Sequence, residues 1–116
     1  MARVVAFIPD LLFGSNVLGA LTAAGHDAVL VSDADGVKRE LSTADLLIVD
    51  LTADAGQRLE QLDTIPRANQ RSLAFYSHVE ADVRAQAEEA GFDLVIPRSR
   101  MAREGASLVD RLLERS

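Results

Sequence analysis

The sequence has no cysteine, which excludes a disulfide framework, a thiolate zinc site and a cysteine nucleophile. It also has no apolar run approaching the roughly 20 residues that a membrane-spanning helix needs. Its first apolar run, Val4 to Ile8, stops at Pro9 and Asp10, too soon for the apolar region of a signal peptide. Positive charge is not in excess either. The net charge is −6, which argues against nucleic acid or an anionic membrane surface as partner, because both are bound through clustered cations. Linkers, internal repeats and low-complexity stretches are missing too. What is present is 116 residues, 48% of them hydrophobic, enough for a single domain over 1–116 with a substantial core. Together these features fit a protein of the cytoplasm.

The chain alternates between two periodicities. Strands are predicted over Arg3 to Ile8, Ala28 to Val31, Leu46 to Leu51, Ser72 to Tyr76 and Leu94 to Ile96. The third of these is a continuous apolar run, as expected of a strand buried on both faces of a parallel sheet. Helical spacing is found between the strands. Val17, Leu18, Leu21 and Ala24 mark a helix from Gly14 that stops at Gly25. Val37 and Leu41 mark a short helix over Asp35 to Leu41, and Leu59 and Leu62 one before Pro66. The polar stretch Arg67 to Arg71 reads as loop. Val79, Val83, Ala87 and Ala90 form the stripe of a helix stopped by Gly91, and Gly105 to Glu114 closes the chain. Five strands alternating with five helices predict an α/β fold, a doubly wound parallel sheet with helices on both faces. Right-handed crossovers favour the strand order 2-1-3-4-5, the flavodoxin-like arrangement.

In such a sheet ligands bind at the carboxyl ends of the strands. Four predicted strands end in polar residues: Asp10, Asp50, Ser77 and Arg98. Each has a plain reading beside a chemical one. Asp50 can be a nucleophile, or it can cap the turn that follows it. Asp10 can bind metal or shape a turn. Ser77, with Glu80 three residues on, fits a helix capping box as well as a phosphoryl contact. Arg98 can form a resting ion pair with Asp50 or lie on the surface, and with Arg100 and Arg103 it makes a local basic patch in a solvated loop and helix start. His78 reads as an exposed polar residue and His26 as a turn residue. Gly14 and Gly19 lack the Lys-Ser/Thr of a phosphate-binding loop and the third glycine of a dinucleotide fingerprint, so they read as close packing of the first helix on the sheet.

From Arg3 to Leu113 the chain resembles the receiver domain of two-component response regulators. The resemblance is carried by Leu46-Leu47-Ile48-Val49-Asp50, by Ala74-Phe75-Tyr76-Ser77, and by Ala90-Gly91-Phe92-Asp93 before Leu94-Val95-Ile96-Pro97-Arg98. It implies a phosphoacceptor at Asp50, a Mg²⁺ site using Asp10 and Asp50, and phosphoryl contacts from Ser77 and from Arg98 in place of the family's lysine. It also implies a non-enzymatic signal-transduction module acting in a phosphorelay. Its partner would be another signalling protein, a histidine kinase among the candidates, met around the fourth helix and fifth strand. A homodimer is compatible with it.

The sequence departs from the family pattern at several places. Pro9 stands where the first acid of the metal-binding pair belongs, and Arg98 follows Pro97 where the family has Lys-Pro. Val95 takes the position of the fifth-strand aromatic, and the loop Leu51 to Gly56 lacks the usual proline turn. A guanidinium keeps the charge of lysine but not its geometry. These departures favour a pseudo-receiver, a stand-alone domain that keeps the fold for protein contact without phosphorylation. The rival from another class is a small flavodoxin-like domain that binds a nucleotide or other small ligand at the same edge.

Overall fold

A computed structural model describes residues 2–66, 69–77 and 81–114. Five strands, β1 (Arg3–Phe7), β2 (Asp27–Val31), β3 (Leu46–Asp50), β4 (Arg71–Tyr76) and β5 (Leu94–Pro97), alternate with five helices. The helices are α1 (Leu11–Ala23), α2 (Ala34–Leu41), α3 (Ala55–Asp63), α4 (Ala81–Glu89) and α5 (Arg98–Glu114). The strands form one parallel sheet in the order β2-β1-β3-β4-β5. Among the described residues no helix is long and apolar enough to cross a membrane.

Every residue of β3 is buried, as its unbroken apolar run requires of a central strand covered on both sides. Successive side chains alternate between two cores. Val4, Ala6, Ile48, Leu73 and Phe75 pack with Val17 and Leu21 of α1 and with Met101, Leu108 and Leu112 of α5. Val5, Phe7, Leu47, Val49 and Ala74 pack on the other face with Val37 and Leu41 of α2, Leu62 of α3, and Val83 and Ala87 of α4. Each fully buried aliphatic side chain contributes about 1.5–3 kcal/mol, so these two layers dominate the stability of the fold. At the amino edge of the sheet Arg3 acts as a clamp. Its guanidinium reaches Asp27 at 2.8 Å and Glu40 at 2.5 Å, and its backbone N–H donates to Asp45 at 2.9 Å. The hydrogen bond to Asp27, with the charges of Asp27 and Glu40, holds that guanidinium still more firmly protonated than usual.

Some boundaries differ from the sequence expectation for local reasons. Helix α1 begins at Leu11 because Asp10 is its N-cap, its Oδ1 accepting from the Phe13 N–H at 3.1 Å. Helix α5 begins at Arg98, directly after β5, so Arg98, Arg100 and Arg103 are helical and belong to no loop. Pro97 tolerates its place as the last residue of the edge strand β5, paired with Tyr76, where a missing N–H costs little. Arg71, expected in a loop, opens β4. Gly25 and Gly91 end α1 and α4 with φ of 93°, the left-handed stop that glycine allows. His78, Val79 and Glu80, and with them the expected capping box and helix start, lie outside the described residues, as does Arg67.

Of the two glycines of α1, Gly14 alone packs closely: a Cβ there would stand 2.8 Å from Leu30 Cδ1, whereas Gly19 faces open space. A tighter fit occurs in α2, where a Cβ on Gly36 would stand 2.8 Å from the Cβ of Val31. That atom cannot swing aside, so the backbone must move. Gly36→Ala is therefore expected to lower stability by about 1 kcal/mol: overpacking costs roughly 1–3 kcal/mol and the better helix former returns about 1. Urea denaturation is the check. A stabilised variant would mean that α2 lifts off β2 freely.

Candidate functional site

Parallel register brings the carboxyl ends of the central strands together. Phe7 lies opposite Val49, Asp50 opposite Phe75, and Tyr76 opposite Pro97. Asp50, Ser77 and Arg98 therefore stand at or one residue beyond neighbouring strand ends, and Asp10 follows β1 at the head of α1. The expected convergence on one edge is present. Within that quartet, the direct side-chain contact among the described residues is between Arg98 Nη2 and Asp10 Oδ2, at 3.8 Å. Arg98 pairs with Asp10 and not with Asp50, because α5 starts at Arg98 and lays its guanidinium over the Phe13 ring, 4.2 Å from the centroid. Both partners of the pair are about half exposed (49% and 51%), so the ion pair is worth about 0–1 kcal/mol, and the stacking a similar amount.

Asp50 is held much more firmly. It is only 4% exposed. Its Oδ1 accepts the Thr52 N–H at 2.8 Å and the Thr52 hydroxyl at 2.5 Å. This is a local turn in which the aspartate caps its own loop. Its backbone carbonyl oxygen accepts from Arg58 Nη1 at 2.6 Å, and the same nitrogen lies 3.3 Å from the Ala53 carbonyl oxygen.

Arg58 is the residue that sequence reasoning passed over. It sits on the first turn of α3 and folds back across the β3–α3 loop, with its guanidinium 5.1 Å from the centroid of the Phe7 ring. Its Nε is buried with no hydrogen-bond partner among the described residues. The loop that it spans contains Asp54, the one described non-glycine residue with positive φ (53°), which begins α3 without a side-chain cap bond. Such a residue costs about 1 kcal/mol or more and persists only where its surroundings hold it. The two carbonyl contacts of Arg58 supply that hold. A lone arginine in a polar helix gives no sequence signal for such a role.

Two guanidiniums thus bracket the edge, Arg98 stacked on Phe13 beside α1 and Arg58 stacked on Phe7 beside α3. Between them are two carboxylates, each with one oxygen already engaged by a backbone N–H. Mg²⁺ takes near-octahedral oxygen coordination, usually one or two carboxylates with water and phosphate oxygens. Among the described residues there is no group of three acids or histidines that can hold a metal ion.

At the opposite end of the sheet His26 lies in the turn between α1 and β2, its N–H donating to the Leu21 carbonyl, and its side chain is 10% exposed, with Nε2 2.6 Å from Asp110 Oδ1 of α5.

Comparison with known proteins rests on structure. No protein-family model matches the chain, and no curated protein matches it significantly. Among solved structures, the chain is similar to a response regulator from Thermotoga maritima, with a TM-score of 0.80 and 15% identity over 97% of this chain and 98% of that one. A response regulator receiver protein from Burkholderia phymatum gives a TM-score of 0.80 and 19% identity, covering 97% and 95%. A response regulator receiver domain protein from Clostridium thermocellum gives 0.77 and 14%, covering 99% and 96%. The fold is therefore that of receiver domains over the full length, carried by a strongly divergent sequence.

Proposed function

We infer that this receiver fold serves signal transduction as a non-enzymatic, protein-contacting module whose carboxyl edge is fixed by its own side chains. The observation that carries the reading is the state of Asp50. Its carboxylate is tied to Thr52 at 2.8 and 2.5 Å, and its carbonyl to Arg58 at 2.6 Å. In a phosphoacceptor the carboxylate must be free to attack, and the charge that develops must be met by a metal and a cation. Here Thr52 holds the carboxylate in one orientation through Oδ1, and the loop carbonyls that could help to hold a hard cation face a guanidinium. Asp10 and Asp50, each with one oxygen not engaged by a backbone N–H, would be left to hold Mg²⁺, one carboxylate short of the set that the family resemblance implies, so its binding would be weak. Ser77 and Arg98 then shape the edge and do not contact a phosphoryl group.

The partner is another signalling protein, docked on the surface around α4 and β5, which reads one conformation and not a switch between two. A histidine kinase acting as phosphodonor belongs to the alternative in which Asp50 is phosphorylated. Incubation with acetyl phosphate and Mg²⁺, followed by intact mass spectrometry, separates the two. The expected result is an unchanged mass. A phosphoryl adduct that disappears in Asp50→Asn would overturn the reading.

A further inference from the structure

Helices α3 and α4 lie side by side on one face of the sheet and meet across an open groove of about 460 Å³. Gly56, Leu59, Glu60 and Asp63 line it from α3, and Gln86, Glu89 and Ala90 from the α4 side. Both sets recur at three- and four-residue spacing, so each is a single stripe turned toward the other helix. The floor is apolar and open: Leu59 is half-buried against the core, and a Cβ on Gly56 would meet nothing within 4 Å. The rim is acidic. Glu60, Asp63 and Glu89 are exposed, and the ion pairs among the described residues do not include them. The pair on α4 joins Arg84 to Glu88 on the flank turned away from the groove, and Arg58 of α3 folds back over its own loop. Counted over both helices, Glu60, Asp63, Asp82, Glu88 and Glu89 against Arg58 and Arg84 leave a net charge of −3, half of the −6 of the chain.

The helix ends sharpen this imbalance. Each helix follows a strand of the parallel sheet, so the two run in the same direction, and Leu62, Asp63 and Ala90 line one small hollow where they end. The carboxyl end of a helix carries partial negative charge and is stabilised by cations in its last turn. Neither helix has one there. Instead α3 ends at Asp63 and α4 at Glu88 and Glu89. Two negative helix ends and carboxylates without an ion pair thus share one end of the groove. That arrangement costs the free chain stability, and cations supplied from outside offset the cost.

We propose that this groove receives a basic amphipathic segment of the partner protein. An apolar side chain of that segment seats on Leu59 and Ala90, and lysines or arginines on either side of it meet Glu60, Asp63 and Glu89. An apolar seat inside a polar rim is the anatomy of a protein contact, and opposite charge sets its register. The proposal rests on the reading of the chain as a protein-contacting module, and it assigns the contact to the α3 flank of α4. The same acids repel nucleic acid and anionic lipid. A second copy suits the groove poorly, since it brings a net charge of −6, and Arg98 and Arg100 of its basic patch are already paired with Asp10 and Glu104.

Selection of short random peptides, displayed on phage, against the immobilised protein tests the proposal. Enriched peptides should carry several lysines or arginines around a large apolar residue. Synthesised with a fluorescent label, they should bind the natural chain and shift the amide resonances of Gly56, Leu59 and Gln86. Glu60→Lys combined with Glu89→Lys, both at exposed positions, should raise their dissociation constant roughly thirtyfold or more while circular dichroism stays unchanged. An equal change of charge at exposed positions away from the groove, Asp35→Lys combined with Glu114→Lys, should raise it about threefold at most. No enrichment, enriched peptides without cations, or equal weakening by both pairs of substitutions overturns the proposal. Binding that shifts Arg84 and Val95 and not the groove residues overturns it too, but leaves the protein-contacting reading intact. That reading fails separately, by the phosphoryl adduct at Asp50.

Discussion

Arg58→Met is expected to lower the unfolding free energy by about 2 kcal/mol and to loosen the loop between β3 and α3. Hydrogen bonds from a charged donor contribute about 1.5–3 kcal/mol, and Nη1 bonds the Asp50 carbonyl at 2.6 Å. Stacking over Phe7, at 5.1 Å, adds about 0.5–1 kcal/mol. Against these, methionine relieves the buried Nε that has no hydrogen-bond partner among the described residues, which returns part of the loss. Methionine ends where Nε stands, so the packing of the stem is kept and the difference reports the guanidinium, its stacking on Phe7 included. Urea denaturation measures the stability. Hydrogen exchange at Thr52 and Ala53 measures the loop, where protection should fall together with stability. Arg58→Lys should recover only part, since an ammonium can donate to the carbonyls but cannot lie flat on the Phe7 ring. Unchanged stability and exchange in Arg58→Met would reduce Arg58 to a surface charge and would remove the lock from the proposed function.

The contrast between Arg58 and the strands shows what the sequence made legible. Leu46 to Asp50 is an unbroken apolar run, and burial on both faces follows from its composition alone. The alternation of strand and helix then restricts the order to 2-1-3-4-5, since few right-handed topologies remain. Helix α5 was only half legible. Its stripe of Met101, Gly105, Leu108 and Leu112 is buried, but the first turns read Arg-Ser-Arg-Met-Ala-Arg-Glu, with a single large apolar residue, and so resemble a solvated loop. Asp10 and Asp50 were placed correctly at the edge while their contacts were open. Whether Asp50 meets Arg98 or Thr52 depends on where α5 begins and how the loop turns, and neither has a periodicity. His26 has the same limitation: its partner Asp110 is 84 residues away. Arg58 depends on the left-handed Asp54 and on two carbonyls, and backbone acceptors leave no trace in residue type.

The combined variant Pro9→Asp, Arg58→Met is expected to bind a divalent cation more tightly than the natural chain does. The carboxylate introduced before Asp10 supplies a third acid at the head of α1, and removing Arg58 frees the carbonyl oxygens of Asp50 and Ala53 as hard donors. It also removes a unit positive charge from the neighbourhood. At separations near 4 Å and an effective dielectric of 20, such a charge opposes a monovalent cation by about 4 kcal/mol and a divalent one by more. Mn²⁺ is the probe, because it accepts oxygen ligands and its bound state is read directly by electron paramagnetic resonance. At Mn²⁺ concentrations ten- to a hundredfold above the dissociation constant, the variant should gain about 2 kcal/mol of stability, whereas the natural chain should gain much less. Pro9→Asp alone should bind more weakly than the combination, since Arg58 still covers the loop carbonyls. Binding of equal strength in the natural chain would show that Asp10 and Asp50 suffice, and that the guanidinium excludes nothing. Binding in Pro9→Asp equal to that in the combined variant would place the whole effect in the missing acid and leave Arg58 as a brace of the loop only.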